Sequence, residues 1–321
     1  MAENLKKKVT LLVPAYNEQE ALPHFFKRVK EVIAPLEQKY DFTLLFINDG
    51  STDYTLSLLH AMHISDSRVQ YLDLSRNYGK EVGMLAGFDY ADGDCVITLD
   101  ADLQEPPEII PEMLAKWEEG YDDVYGRRTE SKQGFWKHET SRLYHKLLAG
   151  MSNDVDFNDN AGDFRLLDRK CVDALCQLRE TQRYTKGLYE IMGFRKAPID
   201  YVVAERVAGK SKWSPSKLVS LALDGITSHS VIPLRLASYL GLIVSFCAFI
   251  YLIVVLVKAL VWGDPVVGYP SIVSLILFIG GFILLSLGII GEYLGRIFME
   301  TKHRPPYFLN SINGERPTLR Q

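Results

Sequence analysis

Cysteine is scarce in this chain, and its spacing excludes several classes of protein. Four cysteines occur among 321 residues, without a C-x-x-C pair and without the spacing of a zinc site. A disulfide framework, a zinc finger and a thiol redox centre are therefore not expected. We predict reduced thiols in the protein core, at Cys95, Cys171, Cys176 and Cys247.

The chain also lacks the two glycine-rich loops that most often bind nucleotide phosphates. Neither G-x-G-x-x-G nor G-x-x-x-x-G-K-[ST] occurs in the sequence. These absences count against a dinucleotide oxidoreductase and against a P-loop NTPase. If a nucleotide binds here, its phosphates must be held by other means.

Formal charge is absent from two stretches in the C-terminal third. One has 22 residues (236–257) and the other has 27 residues (265–291). A helix needs about 20 residues to cross the hydrocarbon core of a membrane. We therefore predict two transmembrane helices, at about residues 236–260 and 268–292. The alternative is a pair of buried core helices, which seldom run so long without a charge.

Basic residues flank the two apolar stretches on their outer sides. They are Lys210, Lys212, Lys217 and Arg235 before the first stretch, and Arg296, Lys302, Arg304, Arg316 and Arg320 after the second. The positive-inside rule then predicts that both termini are cytoplasmic. The polar N-terminus has no signal-peptide core. We expect a multi-pass protein of the cell membrane (inner or plasma membrane) with a cytoplasmic catalytic domain, which can associate into a homo-oligomer through its transmembrane helices.

The first half of the chain alternates short apolar runs with helical patterns. This alternation predicts an α/β fold with a mostly parallel sheet. The predicted strands are residues 9–14, 42–48, 69–74 and 95–99, and the predicted helices are residues 18–33, 52–62 and 81–90.

Every predicted strand ends in polar residues, and the fourth ends in paired carboxylates. In open α/β sheets a ligand binds beyond the carboxyl ends of the strands. Asp100 and Asp102 emerge together there, and Gln104 adds an oxygen two residues later. Mg²⁺ or Mn²⁺ is commonly held by one or two carboxylates and by the phosphates of a substrate. We predict a metal site at these three residues.

A third carboxylate, Asp49, follows another predicted strand. The sequence Asn-Asp-Gly is also nearly ideal for a simple turn. The position beside the Asp100 strand favours a contact to a uracil or ribose.

Two further helices are predicted next to the membrane. Residues 135–151 form an amphipathic basic pattern, typical of a helix at the membrane surface or of one packed on the sheet. Residues 214–235 lead into the first transmembrane stretch. The predicted layout is a cytosolic domain (1–213), a juxtamembrane helix (214–235), two transmembrane helices (236–294) and a cytosolic tail (295–321).

Six ordered motifs carry a family resemblance. They are VPAYNE (13–18), NDGS (48–51), SRNYGK (75–80), DADLQ (100–104), GDFRL (162–166) and GKSKW (209–213). With these motifs the chain resembles the polyprenyl-phosphate glycosyltransferases of glycosyltransferase family 2, which have the GT-A, Rossmann-like fold. It is similar to dolichol-phosphate mannose synthase and most similar to bacterial undecaprenyl-phosphate glucosyltransferases with two C-terminal membrane helices. The resemblance runs from about residue 9 to residue 308.

The resemblance implies a role for each matching residue. The residues expected to bind the nucleotide sugar are Pro14, Tyr16, Glu18, Asp49, Lys80, Asp100, Ala101, Asp102 and Gln104. Asp163 matches the proposed catalytic carboxylate, Asp102 also serves catalysis, and Arg127 matches a donor-side basic residue. Arg165, Arg206, Lys210 and Lys212 are expected to bind the acceptor phosphate.

The implied reaction transfers a hexose from a UDP-sugar to undecaprenyl or another polyprenyl phosphate. The partners expected are these two substrates and membrane lipids, with no nucleic acid. Glucose is favoured over galactose, N-acetylhexosamine and mannose. A phosphate monoester has a second pKa of about 6 and can attack unaided, so Asp163 is a base, an orienting group for Arg165 or a nearby lysine, or a structural carboxylate. No second carboxylate is placed for a covalent intermediate, which favours inversion.

Two other functions remain open at this level. A processive polysaccharide synthase shares the D-x-D chemistry, but its Q-x-x-R-W motif and additional membrane spans are missing from the sequence. A non-catalytic membrane scaffold or translocator would not need the carboxylates at Asp100, Asp102 and Asp163. A glycosyltransferase accounts for more of the sequence than either alternative.

Overall fold

The structure, a computed structural model, describes residues 6–129, 161–180, 183, 185–203 and 268–317, with several further positions between 239 and 254. The chain divides into two compact units. One comprises Met1–Ser214 with Pro305–Gln321, and the other comprises Pro215–Arg304. The predicted helices at residues 135–151 and 214–235 lie outside the described residues.

The first unit contains an eight-stranded sheet in the described part of the chain. Its strands are β1 (Lys7–Ala15), β2 (Tyr40–Asn48), β3 (Val69–Leu74), β4 (Cys95–Thr98), β5 (Asp123–Thr129), β6 (Ala161–Asp168), β7 (Lys196–Val202) and β8 (Leu309–Ile312). Its helices are α1 (Leu22–Ile33), α2 (Thr55–Ser65), α3 (Lys80–Tyr90), α4 (Ile110–Glu118), α5 (Arg169–Gln177) and α6 (Thr185–Ile191), with 3₁₀ turns at Ala34–Leu36 and Pro107–Ile109.

The strand order is β7-β5-β6-β4-β1-β2-β3-β8. Strands β4, β1, β2 and β3 are parallel neighbours, as the sequence predicts. Strand β6 runs antiparallel between β4 and β5, and β8 runs antiparallel to β3. The prediction of a mostly parallel α/β sheet of the GT-A type is confirmed, and the four predicted strands lie within about two residues of the observed ends.

Helices cover both faces of the sheet because its strands are apolar on both sides. In β1, for example, Val9, Leu11 and Val13 pack into one buried layer, and Leu12 packs into the other. Helices α1, α2 and α4 contribute to the first layer. Helices α3, α5 and α6 contribute to the second.

Helix α3 lies unusually close to β1. A Cβ atom on Gly87 would come within 2.4 Å of Leu12 Cδ1, so a larger residue at this position would force the buried Leu12 side chain or the helix to shift. Since α3 follows β3, its first residue, Lys80, lies at the carboxyl end of the sheet. The glycine therefore helps to fix where the Lys80 side chain begins.

The C-terminal segment returns to the sheet as strand β8. Ile312 pairs with Leu72, and the Asn313 side chain accepts a 2.8 Å hydrogen bond from the Tyr71 backbone N–H. The sequence analysis expected only a cytosolic tail here. A four-residue strand with half-exposed side chains has too short a pattern to be recognised from sequence.

The second unit contains one complete described helix, α7 (Tyr269–Thr301), of 33 residues. Within it, Phe278–Thr301 is apolar and long enough to cross a membrane, with a mean hydropathy of 1.7. This is the one such helix among the described residues. The first predicted span, 236–260, is described only in part, and the positions described between 239 and 254 are helical.

The cysteines are free, as predicted, but one of them is not in the core. Cys95 and Cys171 are buried and Cys176 is half-buried, whereas Cys247 is exposed. Burial raises the pKa of the Cys171 thiol to about 12 and that of Cys176 to about 11. The expectation of a core thiol is wrong for Cys247, which lies in the apolar stretch 236–257.

Candidate active site at the carboxyl edge of the sheet

The loops after β1 and β2 are joined by side-chain hydrogen bonds. The Asn17 backbone N–H donates to Ser51 Oγ at 3.0 Å, and the Thr52 N–H donates to Asn17 Oδ1 at 2.8 Å. The Glu18 N–H donates to Thr55 Oγ1 at 2.9 Å. Three of the predicted nucleoside-binding residues, Pro14, Tyr16 and Glu18, therefore lie in or beside a loop that is already organised.

Asp49 organises the next loop along the sheet edge. Its two carboxylate oxygens accept hydrogen bonds from the backbone N–H groups of Tyr78 and Gly79, at 2.7 and 2.9 Å. Gly50 has a φ of 64°, and a Cβ there would lie 2.4 Å from the Arg76 carbonyl carbon. The close approach of the two loops thus requires glycine. A contact between Asp49 and a nucleoside stays a prediction.

Lys80 joins two of the predicted site carboxylates. Its Nζ lies 2.7 Å from Asp100 Oδ1 and 3.2 Å from Asp163 Oδ2. These carboxylates, together with Glu105, raise the pKa of Lys80 even though burial opposes the shift. The ammonium is therefore charged at neutral pH. It ties the end of β4 to the start of β6.

The loop that carries the metal-ligand candidates is strained at one residue. Leu103 has a φ of 59°, in the left-handed region that costs an L-residue about 1–2 kcal/mol. The two residues that flank Leu103 are hydrogen-bonded to each other: Asp102 Oδ1 accepts a 3.1 Å hydrogen bond from the Gln104 N–H. Strain of this kind is found at functional sites. Ala101 is 3% exposed and packs in the core, so its side chain is not available to a ligand.

The donor set at this loop fits a hard divalent cation with an incomplete protein shell. Among the described residues, no three His, Cys, Asp or Glu side chains form a metal cage. Asp100 and Asp102 offer two carboxylates and Gln104 an amide oxygen, which leaves positions for water and phosphate, as Mg²⁺ prefers. The Lys80 ammonium already pairs with Asp100, so this loop attracts positive charge.

Glu105 belongs to this site, although the sequence analysis did not include it. Its side chain is buried, and its Oε2 accepts a 3.2 Å hydrogen bond from the Asp100 N–H. Burial and the nearby Asp100 raise the pKa of Glu105 to about 8. In the sequence, Glu105 is followed by two prolines and belongs to none of the motifs used in the sequence analysis.

Asp163 reaches the site because β6 lies beside β4. Arg165 pairs with Thr98 in the register, and the Thr98 hydroxyl donates to the Asp163 carbonyl. Burial favours a higher pKa for Asp163, but Lys80 and Lys186 outweigh it and hold that pKa below its ordinary value. The Asp163 Oδ1 atom is shielded from solvent and has no hydrogen-bond partner among the described residues. An anionic carboxylate with a lowered pKa is a weak base, and it is well suited to orienting cations.

Arg165 lies inside the protein, 1% exposed. Its guanidinium donates to Asp123 Oδ2 at 2.8 Å and to the Gly162 carbonyl at 3.2 Å, and it stacks over the Tyr189 ring at 3.7 Å. The predicted role in binding the acceptor phosphate is not supported by this placement. Arg165 instead supports the segment that presents Asp163.

Arg127 and Arg128 face opposite sides of β5, as neighbours in a strand must. Arg127 forms a two-point ion pair with Asp200, with a 2.6 Å Nε–Oδ1 distance. Arg128 donates to the Tyr201 hydroxyl at 3.1 Å and has its Nη2 4.0 Å from Glu105 Oε1. The sequence prediction named Arg127 as the donor-side residue, but among the described residues Arg128 is the one turned toward Glu105.

The remaining predicted acceptor residues cannot be placed. Arg206, Lys210 and Lys212 lie outside the described residues. Of the predicted site, Lys80, Asp100 and Asp163 are brought into direct contact, with Asp102 and Gln104 in the loop that follows Asp100.

Comparison with known proteins shows two family matches. Residues 10–176 match Glycosyl transferase family 2, and residues 232–297 match the GtrB C-terminal hairpin. Among solved structures, the mannosyltransferase PcManGT from Pyrobaculum calidifontis in complex with GDP-Man and Mn²⁺ is 14% identical with a TM-score of 0.44, covering 88% of both chains. That likeness is too low to bear on activity.

Full-length relatives are much more similar. The bactoprenol glucosyl transferase of Shigella phage SfV is 43% identical over 307 residues, which cover 95% of this chain and 98% of that protein. A prophage bactoprenol glucosyl transferase homolog of Escherichia coli (strain K12) is 41% identical, covering 95% and 99%. The uncharacterized glycosyltransferase YkcC of Bacillus subtilis (strain 168) is 41% identical, covering 95% and 94%. The chain therefore belongs to glycosyl transferase family 2, in the group of transferases that carry the GtrB C-terminal hairpin.

Proposed function

We propose that this enzyme transfers glucose from UDP-glucose to undecaprenyl phosphate, with inversion, at the cytoplasmic face of the cell membrane. One observation carries the proposal. The Lys80 ammonium is shared between Asp100, on the side where a donor diphosphate would bind, and Asp163, on the side where an acceptor would attack. The names of the relatives from Shigella phage SfV and Escherichia coli support glucose and bactoprenol as substrates.

The organisation of the donor side supports binding of a nucleoside diphosphate. The loops that contain Tyr16, Glu18 and Asp49 are held in place by hydrogen bonds between the protein's own groups. Asp100, Asp102 and Gln104 would hold Mg²⁺ or Mn²⁺ next to the diphosphate. The metal, when bound, would neutralise the charge that develops on the leaving diphosphate. The Lys80 ammonium adds a second positive charge at the same end of the sheet.

The acceptor needs little help to become a nucleophile. A phosphate monoester is largely dianionic near neutral pH, because its second pKa is about 6. Asp163, with its lowered pKa, would orient the lysines around the acceptor instead of removing a proton. Attack by the phosphate oxygen on the anomeric carbon displaces UDP directly. That single displacement inverts the configuration and produces a β-linked lipid from an α-linked donor.

The sheet topology supports an even number of membrane crossings. Strand β3 precedes the apolar stretches and β8 follows them, yet the two strands are hydrogen-bonded neighbours. They must therefore be on the same side of the membrane. Helix α7 can cross once, so a second crossing at residues 236–260 would complete a hairpin. The match of residues 232–297 to a C-terminal hairpin agrees with this arrangement, and the flanking basic residues favour a cytoplasmic side.

The test is a donor and acceptor panel with the purified full-length protein. Radiolabelled UDP-glucose, UDP-galactose, UDP-N-acetylglucosamine and GDP-mannose are each incubated with undecaprenyl phosphate in nanodiscs. We expect label in the lipid fraction from UDP-glucose, and nuclear magnetic resonance should identify one β-linked hexose per lipid. A polymer on the lipid would indicate a processive synthase. Absence of transfer from every donor would leave a non-catalytic scaffold or translocator.

A further inference from the structure

A hydrogen-bonded contact between α3 and α6 brings the segments that carry Lys80 and Lys186 together. Glu81 follows Lys80 at the start of α3, and its Oε2 accepts hydrogen bonds from both the backbone N–H of Thr185, at 2.9 Å, and the Thr185 hydroxyl. Thr185 is buried and precedes Lys186. The pairs Lys80–Glu81 and Thr185–Lys186 are thus held side by side, and the charges of both lysines lower the pKa of Asp163.

The segment that carries Lys186 is fixed in the protein. Arg183, before it, is buried and donates to the carbonyl groups of Leu178 and Leu175 at the end of α5. Tyr189, after it, is fully buried with its ring 3.7 Å from the Arg165 guanidinium. Lys186 therefore belongs to a helix that is anchored on both sides of it, between the Thr185 contact to Glu81 and the Tyr189 contact to Arg165.

The two lysines differ in what they already bind. Lys80 is shared by Asp100 and Asp163. Lys186 is half-buried, and no carboxylate in the described part of the chain lies within ion-pair distance of its ammonium. The Asp163 Oδ1 atom likewise has no hydrogen-bond partner among the described groups. Within the described part of the chain, this leaves one lysine without an ion-pair partner, on a helix whose first residue is hydrogen-bonded to the neighbour of Lys80.

The reaction under the proposed function requires such a charge. A dianionic phosphate that approaches Asp163 would be repelled by the carboxylate unless a cation lies between or beside them. Lys80 is engaged on the donor side, and Arg165 is turned toward Asp123 inside the protein. Among the described cations that act on Asp163, Lys186 is the one available for an acceptor.

We propose that Lys186 binds the phosphate of the lipid acceptor beside Asp163, and that Glu81, through its two hydrogen bonds to Thr185, is the positioning residue that holds Lys186 there. The inference rests on the proposed function, and it assigns the acceptor phosphate to a site in the catalytic domain itself. It does not depend on the loop that contains Lys210 and Lys212.

The test separates acceptor binding from donor binding in the full-length protein in nanodiscs. Lys186→Met keeps the length of the apolar stem and removes the charge. A lost charge-assisted hydrogen bond corresponds to a rise of about 10–100-fold in the KM for undecaprenyl phosphate. The Kd for UDP, measured by calorimetry, should change by less than about twofold. Lys186→Arg should restore most of the acceptor KM, because a guanidinium also binds phosphate.

Two further variants complete the design. Lys116→Met, which removes another half-buried lysine that is ion-paired only with Glu119 in the described structure, is the matched control and should leave both constants unchanged. Glu81→Ala should raise the acceptor KM, and Glu81→Gln should keep it near the wild-type value because the amide oxygen still accepts from Thr185. Thermal midpoints are measured for every variant, so that a folding defect is recognised.

Each outcome bears on one claim. If the wild type transfers hexose to the lipid but Lys186→Met keeps the wild-type acceptor KM, the inference is wrong and the proposed function stands. Equal losses in UDP affinity and acceptor KM would assign Lys186 to the donor site, which also overturns the inference. If the wild type does not transfer hexose to the lipid, the proposed function itself fails. Should Lys186→Met not fold, Lys186→Gln, which also removes the charge, is compared with wild type for inhibition by inorganic phosphate, and unchanged inhibition would contradict the proposal.

Discussion

The buried pair of Arg165 and Asp123 is the residue-scale feature that most constrains the site. Both side chains are almost fully shielded, at 2% and 1% exposure, and the pair supports the Gly162 carbonyl immediately before Asp163. We expect Asp123→Ala to destabilise the protein by about 3–5 kcal/mol, because it leaves an uncompensated charge in the interior. Differential scanning fluorimetry of the full-length protein measures the fall in the thermal midpoint.

A double substitution provides the control for this prediction. Arg165→Met with Asp123→Leu removes both charges and keeps much of the volume, so it should cost less stability than Asp123→Ala alone. If the double variant is the less stable of the two, the burial of charge is not what decides stability at this position. Transfer activity should fall in both variants, since each loosens the segment that presents Asp163.

The raised pKa of Glu105 predicts that the stability of the metal-free protein depends on pH. Its pKa rises from an ordinary 4.5 to about 8 on folding, through burial and the nearby Asp100. Between these values the folded protein holds a proton that the unfolded chain has released. Stability should therefore fall as the pH rises through this window, with the full loss present above pH 8. Glu105→Gln should flatten the fall.

The measurement is a series of thermal melts in excess chelator from pH 5 to pH 9 for wild type and Glu105→Gln. A wild-type profile that rises with pH over this range, or a Glu105→Gln profile with the same slope as wild type, would show that Glu105 is ionised in the folded protein. Asp102→Asn serves as a control that leaves the Glu105 hydrogen bond to the Asp100 N–H in place.

Sequence patterns named residues that the structure brings together, but they did not give the direction of individual side chains. The D-x-D pair and Asp163 were predicted from motifs, and Lys80 links them in the structure. The Arg165 side chain points into the protein because it pairs with Asp123, 42 positions away. A local sequence pattern does not predict a partner so distant in the chain. Which of Arg127 and Arg128 faces the site depends on the register of β5, which a single sequence does not specify.

At the scale of elements, the C-terminal strand β8 is the feature with the clearest consequence. Asn310 Nδ2 donates to Asp73 Oδ2 at 2.8 Å, and the other oxygen of Asp73 accepts from Asn48 at 2.6 Å. Asn48 precedes Asp49 in the donor-side loop. Asn310→Ala removes one hydrogen-bond donor to the buried Asp73 carboxylate and should lower the free energy of unfolding by about 1–3 kcal/mol.

The same substitution should also weaken UDP binding modestly, because Asn48 and Asp73 share one network beside the donor loops. Calorimetry with UDP and thermal melts of Asn310→Ala measure both effects. Arg316→Ala, at an exposed position in the same segment, is the control that should change neither. If Asn310→Ala behaves like Arg316→Ala, β8 does not contribute to the donor site.

The predicted elements differ from the observed ones for reasons that can be stated. The four parallel strands were predictable because they are continuous apolar runs bounded by polar ends. Helix α1 was expected from residue 18 but begins at Leu22, since the segment before it is used to bond with the β2 loop. Strand β8 was not predicted, because it is short and its partner β3 lies more than 230 residues earlier in the chain.

At the scale of the whole molecule, the topology makes a direct prediction. If β3 and β8 share a sheet and the chain crosses the membrane between them, single cysteines at Lys6 and Arg316 should be labelled from the same, cytoplasmic side. A cysteine at Gly268, before α7, should be labelled only from the opposite side. The experiment uses a background in which the four native cysteines are replaced by alanine or serine. Labelling of Gly268→Cys from the cytoplasmic side would contradict the hairpin.

The most direct test of the central claim is transfer of labelled glucose from UDP-glucose to undecaprenyl phosphate by wild type and by Asp102→Asn, with Mg²⁺ or Mn²⁺ present. The proposed mechanism predicts a labelled lipid with wild type and a loss of at least about a hundredfold with Asp102→Asn, at an unchanged thermal midpoint. Two results would contradict the assignment of the active site to the carboxyl edge of the sheet. One is wild-type activity that survives in excess chelator, and the other is an Asp102→Asn variant that keeps more than about a tenth of the wild-type activity.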